Sequence, residues 1–283
     1  MHAWSDGSPI IWLEMPDFGI IADMNTITTE YFRQYRSKLG FTNQANIKNF
    51  FGAKDIAPTI DFDYLKLLNK RLFDIVSRLN NVVAKNIKIY DINEFKKEFI
   101  DNPFKIIKSN DVLPILNNQG RRPEDVYYNW MRGFVISNFF LNALGNIFNV
   151  NISKITLIGD DDLKNINTFK RTPKADLEIK INKNEKIRIE MQSGFSGTND
   201  IKQHKVLEAK RVFQNYGNHT LAIHFDLYNG QVAFLKLDEI EDNSVNWITR
   251  QQMEGQTVFN IEQNHFTWKI TENPPKYSDM DFS

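Results

Sequence analysis

Two short apolar–charged alternations carry the residues best suited to chemistry. In the first, Leu177, Ile179 and Ile181 alternate with Asp176, Glu178 and Lys180; in the second, Ile187, Ile189 and Met191 alternate with Arg188, Glu190 and Gln192. A period of two predicts strands with one apolar and one charged face. The charged faces coincide only when residues of equal parity oppose each other, which a three-residue loop at Asn182, Lys183 and Asn184 provides. Asp176 then faces Glu190, and Glu178 faces Arg188. Opposed carboxylates repel unless a cation lies between them. Mg²⁺ suits that place, since it takes one or two carboxylates, keeps several waters and accepts a phosphate oxygen. The chemistry implied is phosphodiester hydrolysis.

Pro173, Asp176 and, fourteen residues on, Glu190-Met191-Gln192 resemble the PD-(D/E)xK nuclease core, whose members include type II restriction endonucleases, a few with Glu-x-Gln. The resemblance runs over about residues 123–237. It implies an α/β (α+β) fold with a central mixed sheet flanked by helices. It also implies a Mg²⁺ held by Asp176, Glu190 and the Met191 carbonyl, with Gln192 orienting the attacking water. A neutral amide is no general base near pH 7, so the departure from lysine leaves the base unassigned. Lys205, on the helix that follows, is a candidate for the missing cation, and a surface lysine is the alternative. Lys202 on the same helix is a candidate phosphate contact. Glu124 is a candidate further acid at the site, or simply a first-turn residue favoured by the helix dipole.

The elements that must position these groups are legible in outline. Thr28 or Thr29 caps a helix to about Lys38; Leu39-Gly40-Phe41 turns; Thr42 caps a second helix to about Phe51. That pattern resembles a helix-turn-helix, in which Asn43, Gln44, Asn46 and Lys48 would meet DNA; a plain helical hairpin with a wetted face is the other reading. Leu65, Leu68, Leu72, Ile75, Val76 and Leu79 stripe a helix over 61–81. A short helix from Asn93 ends before Pro103, and 102–122 reads as a connection. The expected domains are therefore residues 1–110, mainly helical, and 111–283, the nuclease core. Pro123 opens a helix from Glu124 to about Phe148, in which Arg132 is a candidate for binding a phosphate or pairing with an acid. Residues 154–159 form a strand, and the acids after it, DDD, are expected to be solvated. Thr198 or Asn199 caps a helix from Asp200 to Tyr216, strands at 221–227 and 231–237 flank Asn229-Gly230, and residues 271–283 form a frayed tail.

Composition limits the alternatives. The chain has 283 residues, 41% of them apolar, with 22 Phe and no Cys, so disulfides, thiolate metal sites and a cysteine nucleophile are excluded. The five histidines lack metal-ligand spacing, and no Gly-x-Ser-x-Gly or phosphate-cradling glycine loop occurs. No secretory leader or long apolar run is evident, so a bacterial cytoplasmic location is expected. Net charge is zero. Its distribution is uneven, however: residues 26–54 carry five cations against Glu30, a balance of +4, and residues 238–283 carry nine acids against three cations, a balance of −6. The reading is a Mg²⁺-dependent, sequence-specific double-stranded DNA endonuclease, a homodimer with a partner DNA methyltransferase. The rivals are a repair or junction-resolving nuclease on the same core and a non-catalytic DNA-binding protein.

Overall fold

The computed structural model describes residues 28–53, 55–116, 121–159, 174–182, 185–251, 255–280 and 282. Pro173 and the acids at 160–162 lie outside them. The chain divides into two compact units, Met1–Asp55 and Ile56–Ser283.

In the first unit, α1 (Thr29–Lys38) begins where Thr28 Oγ1 accepts the Tyr31 N–H at 3.2 Å, and it ends at Gly40, whose φ of +82° suits a residue without a Cβ. Asn43, rather than the expected Thr42, caps α2 (Gln44–Phe51), its Oδ1 accepting the Asn46 N–H at 2.9 Å. Neither helix buries a residue. Phe50 packs within 5.3 Å of Phe41 and 5.9 Å of Phe51, ring centre to ring centre.

The second unit starts with α3 (Phe62–Val82), capped by Asp61, and it buries Leu65, Leu72, Val76 and Leu79 of the expected stripe. Pro103 does not end the next helix as expected. Instead α4 (Ile92–Lys96) passes through a wide turn at Lys97–Asp101 into α5 (Asn102–Ser109). A proline inside a helix lacks an N–H and crowds the carbonyl four residues back. The wider turn, in which the Asn102 N–H reaches Lys97 O, relieves that conflict. Residues 102–122 are thus partly helical. Ile107, Val112 and Leu113 share one core with α3 and with the sheet, so the boundary expected at 110 falls inside a packed unit.

The helix expected over 124–148 is two, α6 (Pro123–Phe139) and α7 (Leu141–Phe148), broken at Phe140. The break leaves the consecutive rings of Phe139 and Phe140 both buried, Phe140 stacked on Phe225 with centroids 4.1 Å apart. Three strands follow, β1 (Ile155–Leu157), β2 (Leu177–Lys180) and β3 (Lys186–Gly194). Then come β4 (Asp200–Lys202), α8 (Gln203–Tyr216), β5 (Thr220–Asp226) and β6 (Gln231–Lys236), and finally β7 (Ile248–Arg250), β8 (Gln256–Asn260) and β9 (Phe266–Lys269). The helix expected to start at Asp200 starts three residues later because 200–202 pair with β8 instead. Likewise the tail expected to fray packs, Tyr277 lying 5.0 Å from the Phe148 ring.

Six strands form one sheet in the order β1-β2-β3-β5-β6-β9, with β3 and β5 parallel and the other neighbours antiparallel. A parallel pair needs a crossover, and α8 supplies it. Leu177, Ile189, Ile223 and Phe225 point into the core shared with α6, while Ala222, Ala233 and Leu235 pack with Val206 and Ala209 of α8. The sheet is therefore mixed and flanked by helices on both faces, the fold class expected. A smaller sheet, β4-β8-β7, lies beside it. Among the described residues no helix is long and apolar enough to cross a membrane.

Phe140, at the junction of α6 and α7, meets the rings of Phe139 and of Phe225 on β5, so Phe140→Ala removes a fully buried aromatic and leaves a cavity. The expected loss is about 3–5 kcal/mol of stability, seen as a lower urea midpoint with an unchanged slope.

Candidate functional site

Glu178 pairs with Arg188 and Leu177 with Ile189 across the β2–β3 hairpin, the register that a three-residue loop demands. The Asp176 N–H also donates to Ile189 O, at 3.0 Å, one residue out of step with the ladder, so the pairing ends in a bulge-like irregularity at Asp176, which does not line the cleft over the end of β3. The Asp176 Oδ2 accepts the Met191 N–H at 2.7 Å. Glu178 does not use the arginine opposite it; its carboxylate takes the diagonal Lys186 ammonium at 2.7 Å.

Glu190 is 5% exposed on a strand whose neighbours on the other face are Ile189 and Met191. Its two oxygens each meet the Lys205 ammonium of α8 at 2.8 Å, and Lys205 also donates to the Lys174 carbonyl at 3.2 Å. Burial pushes the Glu190 carboxyl up, and Lys205, a hydrogen bond from Gln192 and the charge of Lys202 pull against it. Asp176 Oδ2 and both Glu190 oxygens are thus engaged by the Met191 N–H and by Lys205, and together with the Met191 carbonyl they make up an oxygen donor set of the class a hard divalent cation takes. The group of three potential ligands found among the described residues lies elsewhere, at His219, Asp238 and Glu239. There Asp238 is already occupied by His219 Nδ1 and the Thr220 N–H, each at 2.7 Å.

A cleft of about 940 Å³ opens over the end of β3, between α6 and the β4–α8 segment. Glu190, Met191, Gln192, Lys202 and Lys205 all line it, together with Arg132 and Arg250. Arg250 is held by Asp200 through Nε at 3.0 Å and Nη2 at 3.3 Å. Arg132 makes no ion pair among the described residues; its guanidinium lies over Phe195 at 4.5 Å and Tyr128 at 5.7 Å, and burial lowers its pKa.

His224 is a cleft residue that the sequence reading did not single out. It stands beside Gln192 because β5 runs parallel to β3 in that register. Its Nε2 lies 2.8 Å from Asn199 Oδ1, and Asn199 Nδ2 donates to Asp226 at 3.3 Å. Asp226 also accepts from the Asn229 side chain at 2.7 Å and from Gln231 at 3.2 Å. A carboxylate only accepts, so the Asn199 amide nitrogen faces Asp226 and its oxygen faces His224. Nε2 therefore carries the hydrogen, and Nδ1 is left buried without a partner. Burial lowers His224 to about 4, a neutral imidazole at pH 7. A side chain at Gly194 would come within 3.3 Å of both His224 Nε2 and Asn199 Oδ1, so the close packing here favours glycine. Residues 192 and 224 become neighbours only through the crossover, and no local pattern announces them.

The remaining expected site residues fall elsewhere. Glu124 is 1% exposed and accepts the Asp61 N–H at 2.6 Å, with Arg122 at 3.6 Å, so it ties α6 to the start of α3 and does not line the cleft. Asn43, Gln44, Asn46 and Lys48 are exposed on the helical pair of the first unit, with the Asn43 side chain engaged as a cap.

No family model matches the chain, and no curated protein matches it in sequence. Among solved structures, Hjc, a Holliday junction resolvase from the archaeal hyperthermophile Archaeoglobus fulgidus, matches with 12% identity and a TM-score of 0.24. The match covers 33% of this chain and 66% of the resolvase, just under two thirds of that protein's length.

Removing the Lys205 ammonium leaves Glu190 buried with less positive charge, which raises its folded pKa further above the unfolded value. A raised carboxyl pKa lowers stability as pH climbs through it. For Lys205→Met in metal-free buffer, the expected result is a urea midpoint that falls further behind the wild type at pH 8 than at pH 5. An equal gap at both pH values would contradict the pairing.

Proposed function

We propose that the chain is a metal-dependent nuclease of the PD-(D/E)xK kind that hydrolyses phosphodiester bonds in double-stranded DNA. The observation that carries this reading is the buried Glu190–Lys205 pair, with the Asp176 carboxylate bound to the adjacent Met191 N–H, in the wall of a cleft also lined by Arg132, Lys202 and Arg250. Asp176, Glu190 and the Met191 carbonyl would hold Mg²⁺. When bound, such an ion polarises the scissile phosphate and lowers the pKa of an attacking water.

The chain's own residues divide the rest of the work. Gln192, two residues beyond Glu190 on the same strand face, orients the water through its amide. Lys205 supplies from α8 the positive charge that the motif more often carries at position 192, and its ammonium offsets charge growing on the phosphate. Neither Gln192 nor Lys205⁺ is a base, so the proton leaves to solvent or to a phosphate oxygen. Lys202 fits a contact to a neighbouring phosphate.

The finer reading is a type II restriction endonuclease, cutting both strands of a symmetric site as a homodimer and paired with a methyltransferase that protects host DNA. The α1–α2 pair, with Gln44, Asn46 and Lys48 exposed, supports a role in reading DNA. A repair or junction-resolving nuclease uses the same catalytic groups and differs in substrate.

Purified protein with Mg²⁺ and phage DNA is expected to give discrete fragments if it cuts at specific sequences. Cleavage of branched DNA alone would favour the junction-resolving enzyme. Asp176→Asn and Glu190→Ala are each expected to lower cleavage at least about a hundredfold, the several kcal/mol a catalytic metal contributes, while binding in Ca²⁺ persists. Near wild-type cutting by either variant would overturn the metal assignment.

A further inference from the structure

We infer that the Arg132–Phe195 pair at the cleft wall is a clamp for one nucleotide swung out of the DNA stack beside the scissile bond: the guanidinium takes the phosphate and the ring takes the base. The inference rests on the cleft being a DNA site, and it names the form of DNA that fits there.

Three features point the same way. Arg132 has no carboxylate partner among the described residues, whereas Lys205 is met by Glu190 and Arg250 by Asp200. A half-buried guanidinium whose pKa burial lowers is a cation poorly compensated by the protein, and an arriving phosphate compensates it. Stacking on Phe195 at 4.5 Å and lying near Tyr128 holds the guanidinium plane in place before any ligand arrives.

Phe195 is the second feature. It follows β3 directly, three residues after Gln192, and it is 55% exposed although it lines the cleft. An exposed phenylalanine beside a cation-lined groove is the usual platform for an unstacked base. Arg132 covers the ring, and more than half of the residue's surface stays open. The third feature borders the same loop: Tyr228, in the β5–β6 turn and 72% exposed, has its ring 3.8 Å from where a side chain on Gly197 would begin. One open aromatic residue thus begins the short loop at residues 195–199 and a second lies against it, the first lining the same cleft as Glu190.

Bases in an intact duplex stack on each other and offer a protein only their edges. A base reaches Phe195 only when it is unpaired already or is rotated out at a cost of a few kcal/mol. The cleft therefore favours DNA with an unpaired nucleotide at the cut, and a fully paired duplex must open one.

The test measures binding in Ca²⁺ of one labelled DNA in two forms, fully paired and with a short unpaired segment carrying 2-aminopurine. Wild type is expected to bind the unpaired form more tightly and to quench 2-aminopurine. Phe195→Leu keeps the apolar volume and removes the aromatic face. It is expected to lose about 5- to 150-fold in affinity for the unpaired form, the effect of one stacked base, with little change for the paired form and no quenching. Arg132→Met is expected to weaken both forms and to reduce the dependence of log K on log salt by nearly one unit. Wild type that binds both forms equally, or Phe195→Leu that keeps the preference, overturns the clamp while the nuclease reading stands. Wild type that binds neither form overturns both.

Discussion

A carboxylate placed in the interior of a sheet needs either several hydrogen-bond donors, as Asp226 has, or a cation, as Glu190 has. Glu190 sits between Ile189 and Met191 on a strand paired on both sides, and it is almost wholly removed from water. Desolvating a carboxylate and an ammonium costs several kcal/mol per ion, which their mutual attraction often fails to offset, and a well-packed apolar pair of equal volume is commonly as stable. The Glu190–Lys205 pair is thus poorly explained by stability alone. Under the proposed function, a charged pair kept beside an open cleft is retained for chemistry performed there.

The crossover topology is what makes the arrangement possible. Because β3 and β5 run parallel, the chain must leave the end of β3, cross a face of the sheet and return, and α8 does so on the face that carries Glu190. The first turn of α8 delivers Lys205 to the carboxylate. The return strand sets His224 beside Gln192, and the loop leading into β4 supplies Asn199 to fix the imidazole. One connection therefore contributes an ammonium, an oriented histidine and the exposed Phe195. The β2 side contributes Asp176, whose carboxylate accepts the Met191 N–H of the β3 backbone.

What could be foreseen followed from local patterns. The alternation of Leu177–Ile181 and Ile187–Met191, joined to loop parity, fixed which residues oppose one another, and the observed Glu178–Arg188 pairing follows from that arithmetic. Helix stripes and caps located α3 and α6. The errors arose where distant partners outweighed local preference. Asp200 looked like the start of a helix but belongs to a strand, because β8 offers it hydrogen bonds and Arg250 takes its carboxylate. Pro103 looked like a terminator, yet packing of Ile100 and Ile107 into one core favours a continuous path with a widened turn. Glu124 stands in the first turn of α6, as one of its two readings had it, and tertiary structure adds that one of its oxygens accepts the Asp61 N–H. His224 carries no signal at all without the strand order.

Zero net charge is weak evidence against a polyanionic ligand, because a ligand meets the field at its own site. The residues lining the cleft include Arg132, Lys202, Lys205 and Arg250 against Glu190 and Asp200, four cations to two acids, an excess of two positive charges. Glu190 and Asp200 are each matched at hydrogen-bond distance, so their fields are largely cancelled close to the wall. The excess is set in a concave surface, where low-dielectric walls focus field lines outward. The acids that balance the chain are concentrated in residues 238–283. Within a Debye length of about 8 Å at physiological salt, an approaching phosphate responds to the charges of the cleft rather than to the sum over the molecule, so a neutral chain can present a cationic groove.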